Sequence, residues 1–292
     1  MLPKRQAVQQ KMINKVTVKG TGFENLSMLH SLLRTGLKVF KLEERGLQNI
    51  LDFKIIKRDL QLPNLDTYWQ GKKILHLSDT HLDGIPGLVE LVVKQIQKID
   101  YDLCFITGDF RFGKGKFHPA SMAPTIEMLK AVKAPLGCYG VLGNHDFIEQ
   151  VSYLEENGMQ VLLNEGVNLG NNLWLAGVDD PHLYKCDDIA AAAKNIPDNS
   201  QKILLVHSPE KVIEAESAGF HAYLCGHTHG GQISLPLIGR PFSNARCKRK
   251  FAFGGFQYGE MHGYTHNGTG ASSVAARFRC PSEIVIHTLT SR

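Results

Sequence analysis

Five short segments of the chain each end in residues that can bind a metal ion or move a proton. They are Asp79 with His81, Asp109, Asn144 with His145 and Asp146, His207, and His227 with His229. Imidazole nitrogen suits zinc, iron and manganese, whereas carboxylate and amide oxygen suit harder cations. A mixed nitrogen and oxygen set without thiolate is not that of a structural Cys-type zinc site, and a catalytic ion keeps about three protein ligands and an open position. Asp79, His81, Asp109, Asn144, His207, His227 and His229 are therefore too many for one ion, and they fit two ions that share a carboxylate. Asp109, alone after Gly108, is the natural shared ligand. Two such ions, about 3.5–4 Å apart, clamp phosphate oxygens and lower the pKa of a bound water. That is the chemistry of phosphoester cleavage, with a bridging hydroxide attacking phosphorus. His145 is placed to act as general acid or electrostatic stabiliser of the leaving oxygen, and Asp146 to orient His145.

The elements that must hold these residues are legible around them. Each ligand group follows a short apolar run bounded by Gly, Asp or Asn: 72–80, 102–109, 137–146, 202–210 and 222–231. Such runs read as buried strands. Further strands are expected over 172–178 and 283–289, and helices over 88–99, 121–132 and 187–196. Strands alternating with helices indicate an α/β domain, and ligands of open α/β sheets bind at the carboxyl ends of strands. Residues two apart in extended chain point the same way, so Asp79 and His81 should reach one point, as should His227 with His229. A single histidine is more often structural than a ligand; five strand ends carrying ligand residues together are hard to obtain by chance. His76 lies inside a strand, out of phase with Asp79 and His81. His30, His118, His182, His221, His262, His266 and His287 have no motif around them and read as structural or surface residues.

The 292 residues, 43% hydrophobic and 21% charged, are ordinary for a folded globular protein. The net charge of +5 is uneven: residues 1–73 hold 14 Lys and Arg against 6 Asp and Glu. The chain divides at about residue 72 into a basic N-terminal extension, 1–71, and a catalytic domain, 72–292. Within the extension Leu26, Leu29, Leu33, Leu37 and Phe40 recur at helical spacing beside Lys38, Lys41 and Arg45. A basic amphipathic helix can lie on an anionic membrane, although packing on its own domain is the commoner use. Six cysteines without a C-x-x-C pair fit a reducing compartment better than a disulfide framework. No apolar run reaches the length of a membrane span, so the expected location is cytoplasmic, with peripheral contact at the inner membrane through the basic segment. Nucleic acid is the weaker expectation for that segment.

The ordered blocks D-x-H (79–81), G-D (108–109), G-N-H-D (143–146), H (207) and G-H-T-H (226–229) resemble the calcineurin-like metallophosphoesterase superfamily over about residues 72–290. The resemblance implies a four-layer αββα sandwich of two mixed sheets flanked by helices. It also implies one metal held by Asp79, His81, Asp109 and His229, and a second held by Asp109, Asn144, His207 and His227. His145 is then the catalytic histidine, and the two divalent ions are manganese, iron or zinc. The stretch 226–239 is similar to the bacterial YkuE and YaeI-like phosphodiesterase branch. That branch implies a lipid-linked substrate such as UDP-2,3-diacylglucosamine, with lipid A biosynthesis as the setting. A phosphomonoesterase, and a non-catalytic scaffold of the same fold, are the alternatives. Arg111 is either a substrate phosphate clamp or a solvated loop residue, and 240–251, mixing basic and aromatic residues, either lines a substrate channel or covers the site.

Overall fold

A computed structural model describes residues 2–19, 33–113, 116–235, 239–240 and 244–292. Its frame is a pair of six-stranded sheets. The first has the order β1 (Lys54–Leu62), β12 (Glu283–Ser291), β2 (Lys73–Leu77), β3 (Leu103–Ile106), β4 (Cys138–Gly140) and β5 (Met159–Val161). Strands β2 to β5 are parallel, and β12 runs antiparallel to β2. The second has the order β10 (Gly254–Tyr258), β11 (Met261–Thr265), β9 (Ala222–Cys225), β8 (Gln201–Leu205), β7 (Leu173–Gly177) and β6 (Glu165–Gly170). Here β11, β9, β8 and β7 are parallel, with antiparallel strands at both edges. Both sheets are mixed.

Strand alternation sets the layers. On β2, Ile74 faces the second sheet while Leu75 and Leu77 face helices; on β8, Ile203 and Leu205 face inward while Leu204 faces outward. Three apolar cores result. One joins the sheets through Leu60, Ile74, Phe105, Leu175, Ile203 and Leu224. The second lies under α4 (Leu88–Ile96), α5 (Ala123–Ala131) and α6 (Gln150–Glu156), and the third under α7 (Ile189–Ala193) and α8 (Val212–Ser217). Helix, sheet, sheet, helix is the expected four-layer sandwich. The expected helices form with shorter ends; α7 starts where the Asp188 carboxylate caps the Ala191 amide.

The region before residue 72 is more than an appendage. Strand β1 pairs in parallel along all of β12, and its Leu60 and Leu62 are fully buried between the sheets. The expected extension over 1–71 thus contributes an edge strand to the domain, because its KIIKRDLQL run alternates well enough to cover the edge of β12. Helix α1 (Leu2–Lys19) docks through Arg5 and Gln9, and α3 (Glu43–Leu51) buries Ile50. Between them, a helix over 33–39, named α2, packs Leu33 and Leu37 on Val274 and Ala276. Phe40 is 72% exposed at its end, not part of the packed face. Leu26, Leu29 and His30 lie outside the described residues. No described helix is long and apolar enough to cross a membrane. The six cysteines are free.

Candidate metal centre

All the ligand candidates follow strands at one edge of the sandwich: β2, β3 and β4 from one sheet, β8 and β9 from the other. The chain does not stay extended there. Asp79, His81, Asp109, His227 and His229 all have positive φ, at 49°, 42°, 59°, 71° and 51°. Left-handed backbone is unfavourable for such residues and persists where surrounding contacts over-determine it, commonly at functional sites. The expectation that each D-x-H and H-x-H pair meets at one point through extended geometry is therefore corrected. Asp79 and His81 do converge, but through turns; His227 and His229 diverge to separate partners. Two glycines make room. A Cβ on Gly226 would lie 1.9 Å from Ser78 Oγ and 2.2 Å from Asp79 Oδ2, and one on Gly143 would lie 2.2 Å from Asp109 Oδ1.

The side chains form two groups that meet at Asp109. In the first, His229 Nε2 is 3.3 Å from both His81 Nε2 and Asp79 Oδ1. In the second, His207 Nε2 is 3.0 Å from Asn144 Oδ1 and 3.1 Å from His227 Nδ1. Asp109 Oδ2 stands 3.7 Å from His81 Nε2 and 3.4 Å from His207 Nε2, so one oxygen touches both groups. Asp79, His81 and His229 offer ligand atoms within 4.8 Å of one another, as do Asp109, His207 and His227. A third such trio, His81, Asp109 and His145, places His145 at the same focus, its Nε2 3.9 Å from Asp109 Oδ2.

The outer ring nitrogens show what the inner ones offer. His81 Nδ1 donates to Arg111 O at 2.5 Å, His207 Nδ1 to Thr107 O at 2.7 Å, His227 Nε2 to Asn244 O at 3.0 Å and His145 Nδ1 to Phe112 O at 3.0 Å. A carbonyl can only accept, so in each ring the outer nitrogen carries the proton and the inner nitrogen presents a lone pair in the neutral form. Lone pairs converging with carboxylate oxygens need a positive charge between them. Burial disfavours a proton on His207, but Asp109 beside it raises the pKa to about 10. A proton there occupies the place and supplies the charge of a cation. Burial, then the neighbouring His207, holds His227 well below its usual range; burial, then His81 and Arg277, does the same to His229. Asp79 Oδ1 is buried and has no hydrogen-bond partner among the described residues. These donors fit divalent ions.

Neighbouring residues sharpen or correct the sequence reading. The Asp146 carboxylate accepts from the amides of Asp109 (2.7 Å), Phe110 (2.9 Å) and Gly143 (2.8 Å). It fastens the loops after β3 and β4 together, while Phe112 O orients His145. Arg111 is buried, not solvated: its guanidinium lies 4.6 Å from the Phe147 ring centroid, and its carbonyl holds His81. His182, read as structural or surface, packs its ring 4.1 Å from that of His227 and bonds Glu210 Oε1 at 2.8 Å. Arg277, which no motif marked, is fully buried behind His229 and donates to Gly270 O at 2.7 Å. His76, His266 and His287 are buried together, and His76 Nε2 meets Thr107 Oγ1 at 3.0 Å, the residue whose carbonyl holds His207. Asn244, within 240–251, holds His227, and Arg246 and Lys248 line a cleft of about 410 Å³ with Glu210, Val212, Ile213 and Phe251.

Residues 72–231 match the family described as calcineurin-like phosphoesterase. The chain belongs to that family. This calcineurin-like phosphoesterase is 30% identical over 235 residues to the uncharacterized metallophosphoesterase YkuE of Bacillus subtilis, covering 76% of this chain and 80% of YkuE. It is 27% identical over 227 residues to YkoQ of the same organism, covering 74% and 83%. It is 28% identical over 232 residues to the phosphodiesterase YaeI of Escherichia coli, covering 73% and 80%. The chain is a phosphoester hydrolase with Asp and His clusters able to bind metal ions.

Proposed function

We propose that this calcineurin-like phosphoesterase holds two divalent ions and hydrolyses a phosphodiester or pyrophosphate bond. One observation carries the reading: Asp109 Oδ2 lies between two separate groups of converging ligand atoms, 3.7 Å from His81 Nε2 and 3.4 Å from His207 Nε2. Asp79, His81, Asp109 and His229 would hold one ion, and Asp109, Asn144, His207 and His227 the other. The ions would supply Lewis-acid stabilisation of the phosphoryl oxygens and a more acidic water as nucleophile.

The chain's own residues supply the rest. His145, fixed through Nδ1 by Phe112 O, turns Nε2 toward the Asp109 side of the site, where in the doubly protonated imidazolium form it would give the Nε2 proton to the leaving oxygen and keep the Nδ1 proton on Phe112 O. Asp146 keeps Asn144, His145 and Asp109 in register through three backbone amides. The cleft lined by Val212, Ile213 and Phe251, with Arg246 and Lys248, is linked to His227 through Glu210 and His182 and would offer apolar and cationic surface for the part of a diester that is not cleaved. That surface and the likeness to the phosphodiesterase YaeI favour a diester over a monoester, and a lipid-linked nucleotide such as UDP-2,3-diacylglucosamine is the natural large substrate to assay.

The test is metal analysis followed by turnover with Mn²⁺ on bis(p-nitrophenyl) phosphate, p-nitrophenyl phosphate and UDP-2,3-diacylglucosamine. Two bound ions and diester or pyrophosphate cleavage support the reading. Preference for the monoester would replace it with a phosphomonoesterase, and inertness toward all three with metal bound would favour a non-catalytic scaffold.

A further inference from the structure

Helix α1 is attached to the domain in an unusual way. Arg5 and Gln9, one turn apart on a single face, reach polar groups of the domain rather than its apolar cores, and Lys4 beside them donates to Lys185 O. Arg5 is fully buried. Its Nη2 donates to Asp146 O at 2.8 Å and to Gly143 O at 3.3 Å. Its Nη1 pairs with Asp179 Oδ1, and its guanidinium lies 3.9 Å from the centroid of the Tyr184 ring. Tyr184 Oη donates at 3.0 Å to the same Asp146 carbonyl. Gln9 continues the contact, accepting from Ile148 N at 3.2 Å and donating to Glu149 at 2.7 Å.

The two carbonyls that Arg5 bridges, Gly143 O and Asp146 O, bracket Asn144 and His145. One nitrogen therefore spans the segment that presents a proposed ligand and the proposed proton donor. A guanidinium suits this place: it is always charged, fans several donors in a plane and stacks on an aromatic face, none of which a lysine ammonium reproduces together. Asp179 balances its charge, without which burying it would be costly.

We propose that Arg5 is a positioning residue of the active centre, through which the N-terminal helix sets the geometry of the 143–146 loop and hence of the second metal set. The inference rests on the reading of that loop as catalytic, and the experiment separates the two. Hydrogen–deuterium exchange over 143–148 and Mn²⁺ titration calorimetry are compared for wild type, Arg5→Ala, Arg5→Lys and Gln6→Ala, Gln6 being an exposed residue of the same helix. Arg5→Ala should speed exchange at the Gly143 and His145 amides and weaken one of the two Mn²⁺ events by about tenfold, the usual scale for residues that orient ligands. The other event should be unchanged and kcat should fall more than KM rises. Arg5→Lys, which keeps the charge beside Asp179, should show the same changes to a smaller degree and covers the case in which Arg5→Ala does not fold. Gln6→Ala should match wild type. Unchanged exchange and Mn²⁺ affinity in the Arg5 variants would overturn the proposal. If wild type binds no Mn²⁺ and cleaves no phosphoester, the two-metal reading fails, while the exchange comparison still decides whether Arg5 sets the loop.

Discussion

His81 and His229 stack their rings at an interplanar angle of 16° with their Nε2 atoms 3.3 Å apart. Arg111 O holds the outer nitrogen of His81 protonated, so His81 brings a lone pair to this contact. Arg277 Nη2, which can only donate, faces the outer nitrogen of His229 at 3.3 Å, so without a cation the His229 Nε2 proton joins the two rings, and a bound cation takes its place. Chelator-treated protein should therefore melt at a lower temperature than protein with Mn²⁺, since a ligand that binds only the folded state stabilises it. His81→Ala should lose one of two ions and keep the other at the His207 group. Loss of both ions, or no change in melting on chelation, would contradict this division.

Asp109 should behave differently from every other ligand. Its Oδ2 serves both groups, and its Oδ1 also accepts the His145 amide at 2.8 Å. Asp109→Ala is expected to remove both ions and to reduce phosphoesterase turnover by more than the roughly hundredfold upper scale for residues outside the ligand set. Metal analysis of the purified variant reads the outcome directly; one retained ion would show that the carboxylate is not shared.

His182 is expected to matter although no motif marks it. Its ring packs on His227 and its Nδ1 is fixed by Glu210, whose carboxyl resists protonation: burial works against that, but the His182 hydrogen bond lowers its pKa. His182→Ala should lower kcat by about 10- to 100-fold, in the range for partners of metal ligands. A variant with wild-type kinetics would reduce His182 to rim packing.

Gly226 allows no side chain. Its missing Cβ would overlap Ser78 Oγ and Asp79 Oδ2. Gly226→Ala should destabilise the fold by about 1–3 kcal/mol, as overpacking does, and should weaken metal binding by displacing Asp79. Denaturant unfolding and metal titration together check both effects.

The fold should lose stability in mild acid for a reason outside the metal centre. Burial lowers the pKa of His76, His287 and His266, the last to about 3, and Arg58 and Arg277 oppose their charging further. With folded pKa values below the ordinary 6.5, the unfolded chain takes up protons first as pH falls. Their contribution is complete above about pH 6.5 and is lost on acidification from there toward pH 3, at up to about 1.4 kcal/mol per pH unit for each group. Melting of metal-free protein between pH 7 and 5 should show the decline, and His266→Gln should make it shallower. A flat profile would exclude it.

The residues themselves announced the chemistry. Asp79, His81, Asp109, Asn144, His207, His227 and His229 stand at strand ends that hydrophobic patterning already marks, because burial of a strand and the polarity of its last residues are local properties of the chain. The short apolar runs of β2 and β8 mark buried strands, whereas the four layers are what the resemblance of the ordered blocks to the family implies. Patterning could not say how backbone turns aim side chains. Asp79 and His81 meet through left-handed residues, and His227 and His229 part, because sterics between distant loops, such as Gly226 against Ser78, select those conformations. Nor could it place β1 in the first sheet, His182 against His227, or Arg5 beneath Asp146. Each of those contacts joins residues far apart in the chain, and a long-range contact leaves no period or spacing in the sequence. Which atoms could bind metal was a matter of residue type; which atoms face one another, and which distant side chains hold them there, was settled by packing.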